Sequence, residues 1–177
     1  MSATQPWNVR RLEVVDAAAV GALADVLQDC VEGGASVSFM HPLSRERAEV
    51  FWRGVAAGVR TGRRALLVAE DAAGIFGTVQ VLLEQPENQP HRADLAKMLV
   101  HRRARRLGVG AALVRAAERT AREMGKTLLV LDTVTDSDAD RLYRRLGWIR
   151  AGEIPGYALY PTGGLCSTTV FYRALGD

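Results

Sequence analysis

Hydrophobic positions repeat at helical spacing in the first third of the chain and predict two helices there. The first helix follows the candidate N-cap Asp16 and ends at Gly33-Gly34. The second runs from about Ser44 to the segment GVRTG (58–62), where glycine interrupts the pattern. Each helix keeps its apolar residues on one face, as expected of helices that cover a sheet.

Short apolar runs rich in β-branched residues predict strands around these helices. One strand precedes the helices, three successive antiparallel strands follow them, and two more helices then alternate with the remaining strands. The predicted strands are 9–16, 63–71, 75–85, 91–100, 126–133, 148–154 and 167–175. The order β-α-α-β-β-β-α-β-α-β-β predicts an α/β domain with a mixed sheet.

Composition predicts one compact domain over residues 1–177, because 177 residues with 48% hydrophobic content can bury a sizeable core. Cys30 and Cys166 show neither CxxC spacing nor clustering with histidine, so no disulfide framework or zinc site is expected. The sequence shows neither a signal-peptide pattern nor an apolar run of the ~20 residues that span a bilayer. We therefore expect a soluble, cytoplasmic protein without a membrane partner.

Candidate chemistry concentrates in RRARRLGVGAALVRAAE (102–118), where arginines precede two glycines and a run of helix formers. A strand, a glycine turn and a helix N-terminus together form an anion site, because free backbone N–H groups and the helix dipole point the same way. Gly108 and Gly110 let the backbone approach a ligand, and Arg105 and Arg106 add charge at the rim. The segment therefore predicts a phosphate ligand, and a pyrophosphate fits it best.

Other classes of ligand fit this segment less well. A Walker A loop would need Lys-Ser/Thr where Ala111-Ala112 stand. A dinucleotide fingerprint would need a small residue at Leu113 and an apolar strand in place of HRRARRL (101–107). A nicotinamide-dependent oxidoreductase therefore remains an alternative that the motif supports less well. The arginine run lacks interleaved aromatic residues, and no nucleic-acid partner is predicted.

The spacing Arg105-x-x-Gly108-x-Gly110, with MLV (98–100) upstream and LYRRLGW (142–148) downstream, resembles motif A of the GNAT superfamily of N-acyltransferases. That family also has alanine, tyrosine and glycine at fixed spacing on a later helix. The corresponding residues are Ala139, Tyr143 and Gly147. The resemblance implies a GNAT-like mixed, mainly antiparallel sheet flanked by helices, with a V-shaped split between the central strands.

The resemblance further implies that acetyl-CoA is the co-substrate and that no metal is needed. Its pantetheine arm would run along the strand at Met98 to Val100, and a bulge near Lys97 to Leu99 would aim a backbone N–H at the thioester carbonyl. Its pyrophosphate would lie on the amides after Arg105. The implied cofactor-binding residues are Met98, Leu99, Val100, Arg105, Arg106, Leu107, Gly108, Val109, Gly110, Ala111 and Asp136. At Asp136 many members of the family have asparagine.

Two residues are candidates for proton transfer. Tyr143 matches the general-acid tyrosine of the family, and its phenol can donate a proton at neutral pH. The alternative is a core tyrosine on the apolar face of its helix. Asp132 ends an apolar run beside the expected split, where a carboxylate could accept a proton from the substrate ammonium or hold that cation. The alternative is a turn or capping aspartate.

The predicted activity is transfer of an acetyl group from acetyl-CoA to a primary amine of a small molecule by direct attack. Ser36, Phe39, Glu153 and Tyr157 are candidate acceptor-binding residues, because their segments approach the acceptor in relatives. The segments 31–40, 128–133 and 152–165 further resemble members that acetylate an amino-acid-like toxin. Acetylation of protein N-termini or lysines, and a non-catalytic acyl-CoA-binding module, stay open as alternatives. A homodimer is compatible with an exposed sheet edge but is not marked.

Overall fold

Residues 7–176 are described by the computed structural model, and their seven strands form one sheet. The elements in chain order are β1 (Asn8–Leu12), α1 (Ala17–Glu32), α2 (Arg45–Arg60), β2 (Arg64–Asp71), β3 (Gly74–Leu82), β4 (Arg92–Val100), a 3₁₀ turn (Arg102–Ala104), α3 (Val109–Glu123), β5 (Leu128–Val134), α4 (Asp138–Arg145), β6 (Ile149–Leu159) and β7 (Leu165–Ala174). The predicted element order is confirmed. The predicted domain bounds 1–177 include residues 1–6 and 177, which lie outside the described residues.

The strand order in the sheet is β1-β2-β3-β4-β5-β7-β6. Among the described strands, β4 and β5 run parallel and every other neighbouring pair is antiparallel. This arrangement confirms the predicted mixed, mainly antiparallel sheet and the three successive antiparallel strands, which are β2, β3 and β4. The parallel pair lies in the middle of the sheet, and it positions the site described below.

Alternating side chains of the central strands divide the core into two layers. On β2, Leu66 and Val68 pack with α1 and α2, whereas Leu67 and Ala69 pack with α3 and α4 on the opposite face. Trp52 of α2 is fully buried in the first layer. Both faces of the strand are therefore covered, which explains why RALLVAED is a continuous apolar run rather than an alternating one.

Polar side chains define where the helices begin. The Asp16 carboxylate accepts the Ala19 N–H at 2.8 Å, which confirms the predicted N-cap. The hydroxyl of Ser44 caps α2 through the Arg47 N–H at 3.3 Å. Helix α3 differs, because Gly108 at its N-cap offers no side chain to its amides. The amides of the first turn of α3 therefore remain available to a ligand.

Strand β6 is longer than the sequence predicts. It continues from the predicted end at Ile154 through Pro155 and Gly156, and its register with β7 shifts between Ile154 and Ala158. Because β6 is the edge strand, one side of it needs no N–H partner, and proline is tolerated there. Tyr157 therefore lies on a strand rather than in a loop.

Within residues 7–176, no helix is long and apolar enough to cross a membrane. The histidine, cysteine and acidic side chains of these residues form no group of three that could hold a metal ion. Cys30 and Cys166 are free, buried thiols.

Candidate active site

The sheet opens in its middle, between β4 and β5. These strands pair only where Arg92 to Asp94 face Leu128 to Val130, and they separate beyond Asp94. The predicted V-shaped split is therefore confirmed. From Leu95 onward, the edge of β4 that faces β5 has no strand partner, so its backbone groups are free to pair with an extended ligand.

Strand β4 also carries the predicted bulge. Thr78 of β3 faces Leu99 and Gln80 faces Ala96, so Val79 stands opposite the two residues Lys97 and Met98. Lys97 has a φ of 50°. Within residues 7–176, the non-glycine residues with positive φ all line the cavity at the split: Ser38, Lys97, Arg106 and Asp136. Backbone strain of this kind concentrates at ligand sites.

The cavity at the split has a volume of about 1450 Å³, large enough for an extended cofactor together with a small acceptor. Ten of the eleven predicted cofactor-binding residues line it: Met98, Leu99, Val100, Arg105, Arg106, Gly108, Val109, Gly110, Ala111 and Asp136. Leu107 is not part of the wall, and its side chain is 57% exposed. The structure therefore does not place Leu107 with the other predicted cofactor-binding residues.

The arginine run divides into two pairs with different partners. Arg102 forms ion pairs with Asp29 and Glu32 of α1, and its backbone N–H donates to Asp29 at 2.8 Å. Arg103 pairs with Asp71 at 2.8 Å. These contacts join the loop before α3 to α1 and to the end of β2, although both arginine side chains remain partly exposed.

The second pair of arginines lies at the cavity. The Arg105 guanidinium donates to the Val100 carbonyl at 3.3 Å, and both Arg105 and Arg106 line the cavity next to the start of α3. The pKa of Asp138, at the start of α4, is lowered mainly by a hydrogen bond from Arg141. The charges of Arg106 and Arg105 lower it further. This end of the cavity is therefore electropositive and suited to a phosphate group.

Gly108 occupies a left-handed conformation, with φ 80° and ψ 0°. An alanine would be strained there by about 1–2 kcal/mol, although open space surrounds its Cβ. We expect Gly108→Ala to lower the free energy of unfolding by that amount, measured by urea denaturation. Gly54→Ala is the matched control, because Gly54 lies inside α2 with open space around it and a helical backbone. Equal or higher stability of Gly108→Ala would contradict the conformation found at this turn.

Gly110 also lies close to its neighbours. A Cβ at Gly110 would stand 3.0 Å from Cδ2 of Leu142 and 3.7 Å from the sulfur of Met98. The glycine therefore allows the Leu142 and Met98 side chains to approach the start of α3, in addition to the backbone access for a ligand that the sequence suggests.

Tyr143 lies in α4 and is only 3% exposed, yet it lines the cavity. Its ring packs against Trp148 and Phe171, with centroids 5.5 Å and 6.0 Å apart. Burial raises the pKa of Tyr143 well above its ordinary value, and the charge of Asp132 adds to this effect. Tyr143 is therefore a core residue that also reaches the cavity, and its role as the general acid stays a prediction.

Asp132 lies in β5 and lines the same cavity. Its carboxylate accepts a hydrogen bond from the Thr168 hydroxyl of β7 at 2.8 Å. The sequence suggests a partly desolvated carboxylate, but this residue is exposed within the cavity. Because β5 and β7 separate from β4 at this level, Asp132 remains open to an incoming cation.

The turn before α4 places Asp136 and Ser137 at the cavity. Ser137 is the N-cap of α4, accepting the Asp140 N–H at 3.1 Å, so Asp136 is not the capping residue. The Asp136 N–H donates to the buried Asp140 carboxylate at 3.0 Å, and its φ is 59°. Asp136, predicted to bind the cofactor, therefore lies at the cavity wall, with its backbone N–H bonded to Asp140.

The loop between α1 and α2 covers the other end of the cavity. The Ser36 hydroxyl donates to the Leu159 carbonyl at 2.8 Å, and the His41 N–H donates to the Pro161 carbonyl at 2.9 Å. Phe39 packs edge-on against Phe51 of α2, with centroids 5.3 Å apart. The candidate acceptor residues Ser36, Phe39 and Tyr157 all line the cavity.

Glu153 is the one candidate acceptor residue that the structure places elsewhere. It lies on the exposed edge strand β6, where its carboxylate pairs with Arg150 at 2.8 Å, and it does not line the cavity. Lys97 does line the cavity, although the sequence suggests only a backbone role for it at the bulge. The signal for Lys97 in the sequence is a single charge inside the apolar run LAKMLV (95–100).

Known proteins resemble this chain in sequence over most of its length. Residues 24–148 match the model of the acetyltransferase (GNAT) family. An uncharacterized N-acetyltransferase from the hisH-hisA intergenic region of Azospirillum brasilense is 30% identical over 127 residues, which are 71% of this chain and 74% of that protein. The matched family range contains the split, the arginine-rich loop and Tyr143.

Two solved structures share the whole fold. A candidate acetyltransferase from Salmonella typhimurium, solved with its cofactor acetyl-CoA, has a TM-score of 0.79 and 18% identity, covering 98% of this chain and 96% of that one. A GCN5-related N-acetyltransferase from Kribbella flavida has a TM-score of 0.78 and 25% identity, covering 96% and 98%.

Proposed function

Since this chain belongs to the acetyltransferase (GNAT) family and is an acetyl-CoA-dependent N-acetyltransferase, we propose that its acceptor is the primary amine of a small molecule. The observation that supports this most is a single cavity that joins the split, the uncapped start of α3 and Tyr143 to a covered acceptor end. The amine attacks the thioester directly, without a covalent enzyme intermediate.

The residues at the split fit acetyl-CoA. The unpaired edge of β4 suits an extended pantetheine arm, and the amides after Gly108, with Arg105 and Arg106, suit the pyrophosphate. Bound there, acetyl-CoA supplies the acetyl thioester. The bulge at Lys97 and Met98 interrupts the pairing of β4 with β3 and is the proposed source of the backbone N–H that donates to the thioester carbonyl.

Two side chains handle the protons of the transfer. Asp132 holds the acceptor ammonium and takes one of its protons, directly or through water, so that the neutral amine can attack. The C–S bond breaks as the C–N bond forms, and Tyr143 Oη gives its proton to the leaving sulfur. The second proton that the nitrogen loses, as the amide forms, restores the Tyr143 phenol through water. Thr168 positions the Asp132 carboxylate through its hydrogen bond.

The covered acceptor end favours a small molecule over a protein. The Ser36 and His41 hydrogen bonds tie the α1–α2 loop to the end of β6 and to the turn that follows it, which narrows access for a polypeptide. The Ser36 bond joins 31–40 to 152–165, two of the three segments that resemble toxin-acetylating members of the family. This supports an amino-acid-like toxin or antibiotic as the acceptor.

We also propose that the enzyme acts in the cytoplasm and has no nucleic-acid partner. The buried free thiols Cys30 and Cys166 suit a reducing compartment. Two of the arginines that could attract nucleic acid are instead engaged by Asp29 and Asp71.

The pH dependence of kcat tests the role of Tyr143. Burial and the Asp132 charge raise the pKa of Tyr143, so its hydroxyl stays protonated beyond the ordinary value of about 10. We expect no fall in kcat from loss of this proton between pH 7 and about 9.5, measured at saturating substrates. A descending limb below pH 9 that disappears in Tyr143→Phe would contradict the raised pKa.

The acceptor class is tested by supplying acetyl-CoA with panels of small amines, peptides with free N-termini and lysine-containing peptides. Thiol release and mass spectrometry of the products measure turnover. We expect acetylation of small amines and none of the peptides. Acetylated peptides would favour the protein-directed alternative, and acetyl-CoA binding without any turnover would favour a binding module.

A further inference from the structure

Lys97 presents an ammonium group to the acceptor end of the cavity. Its Nζ donates to the Ser38 hydroxyl at 3.1 Å and lies 5.9 Å from the centre of the Phe51 ring. Both neighbours belong to the α1–α2 region that covers this end.

The bulge in β4 gives Lys97 this direction. In a regular strand, residues 95, 97 and 99 would share one face. Instead, Leu95 packs in the layer of α3 and α4, whereas Leu99 packs in the layer of α1 and α2. Met98 packs in the layer of α3 and α4, near Gly110. The extra residue thus turns the lysine toward Ser38 and Phe51.

Within residues 7–176, no carboxylate lies within ion-pair distance of the Lys97 ammonium. The Asp132 carboxylate acts on this ammonium only from a greater distance. Burial lowers the pKa of Lys97, and Asp132 opposes this effect. A half-buried cation with only a hydroxyl and an aromatic ring beside it is costly, and an anion from a ligand would offset that cost.

We propose that the acceptor amine also carries a carboxylate, and that Lys97 binds this carboxylate while Asp132 holds the ammonium. Two opposite charges in one acceptor cavity match the two charges of an amino-acid-like molecule. Lys97 is then a specificity-determining residue of the acceptor site. This inference rests on the proposed function, since it names the acceptor class of the same site.

The test uses amines in matched pairs that differ by the carboxylate: methionine with 3-(methylthio)propylamine, phenylalanine with phenethylamine, and lysine with cadaverine. Turnover is followed by thiol release, and acetyl-CoA affinity is measured separately by calorimetry. For the amino acid that is acetylated fastest, we expect kcat/KM to be about 10- to 100-fold higher than for the matched amine that lacks the carboxylate. Equal rates within each pair, or no turnover of any carboxylated amine by enzyme that binds acetyl-CoA, would overturn the assignment.

Variants of Lys97 separate recognition from chemistry. In Lys97→Met we expect KM for the carboxylated amine to rise about 10-fold or more while kcat changes little, and Lys97→Arg to restore part of the affinity. Lys126→Met, away from the cavity, is the matched control with unchanged KM. A fall in kcat alone, equal for both members of a pair, would overturn the recognition role. If the unmodified enzyme does not bind acetyl-CoA, the proposed function itself is wrong.

Discussion

Replacing Tyr143 by phenylalanine is expected to lower kcat about 100-fold or more while the Kd for acetyl-CoA stays within about twofold. The variant keeps the ring that packs against Trp148 and Phe171 and removes only the proton donor. The leaving sulfur must then be protonated by water, which is not positioned for it. Steady-state kinetics at saturating acetyl-CoA give kcat, and calorimetry gives the Kd.

The control for this variant is Tyr172→Phe, which removes a hydroxyl from β7 outside the cavity wall. We expect its kcat to match that of the unmodified enzyme. Unchanged kcat in Tyr143→Phe would remove Tyr143 as the acid and leave it as a core residue alone. A large rise in the Kd for acetyl-CoA would indicate instead that the hydroxyl acts in binding.

Replacing Arg106 by alanine is expected to raise the Kd for acetyl-CoA about 10-fold or more. A hydrogen bond between charged partners contributes about 1.5–3 kcal/mol, and Arg106 stands beside the uncapped amides of α3. Salt should weaken binding less steeply in the variant than in the unmodified enzyme, because one phosphate contact is lost. Calorimetry at two salt concentrations measures both effects.

Arg122→Ala provides the matched control, because this arginine is exposed in the last turn of α3, at the opposite end of the helix. Its Kd for acetyl-CoA should equal that of the unmodified enzyme. If Arg106→Ala and Arg122→Ala bind acetyl-CoA equally well, the phosphate end of the cavity is wrongly assigned.

Most of the fold follows from local patterns. Apolar spacing, the Asp16 cap and the glycine at position 108 each act within a few residues, so the sequence predicts the element order and the start of α1 correctly. The exception is β6. Pro155 suggests the end of a strand, but only its position at the sheet edge makes proline acceptable there.

The parts of the site that could not be predicted depend on partners far apart in the sequence. In the sequence, Arg102 and Arg103 cannot be distinguished from Arg105 and Arg106. The fold brings Asp29 of α1 to Arg102 and Asp71, at the end of β2, to Arg103. The sequence makes Glu153 a candidate acceptor contact, but in the structure its carboxylate pairs with Arg150. The direction of Lys97 depends on a bulge whose effect on side chains requires the strand register.

Acetyl-CoA is expected to bind in the split between β4 and β5. The most direct measurement is the melting temperature of the protein during titration with acetyl-CoA, CoA and NADH, because a ligand that binds the native state raises this temperature by mass action. We expect a saturating rise with acetyl-CoA and CoA and none with NADH. No response to the CoA species, or a rise with NADH alone, would contradict the assignment of the cavity and of every catalytic role derived from it.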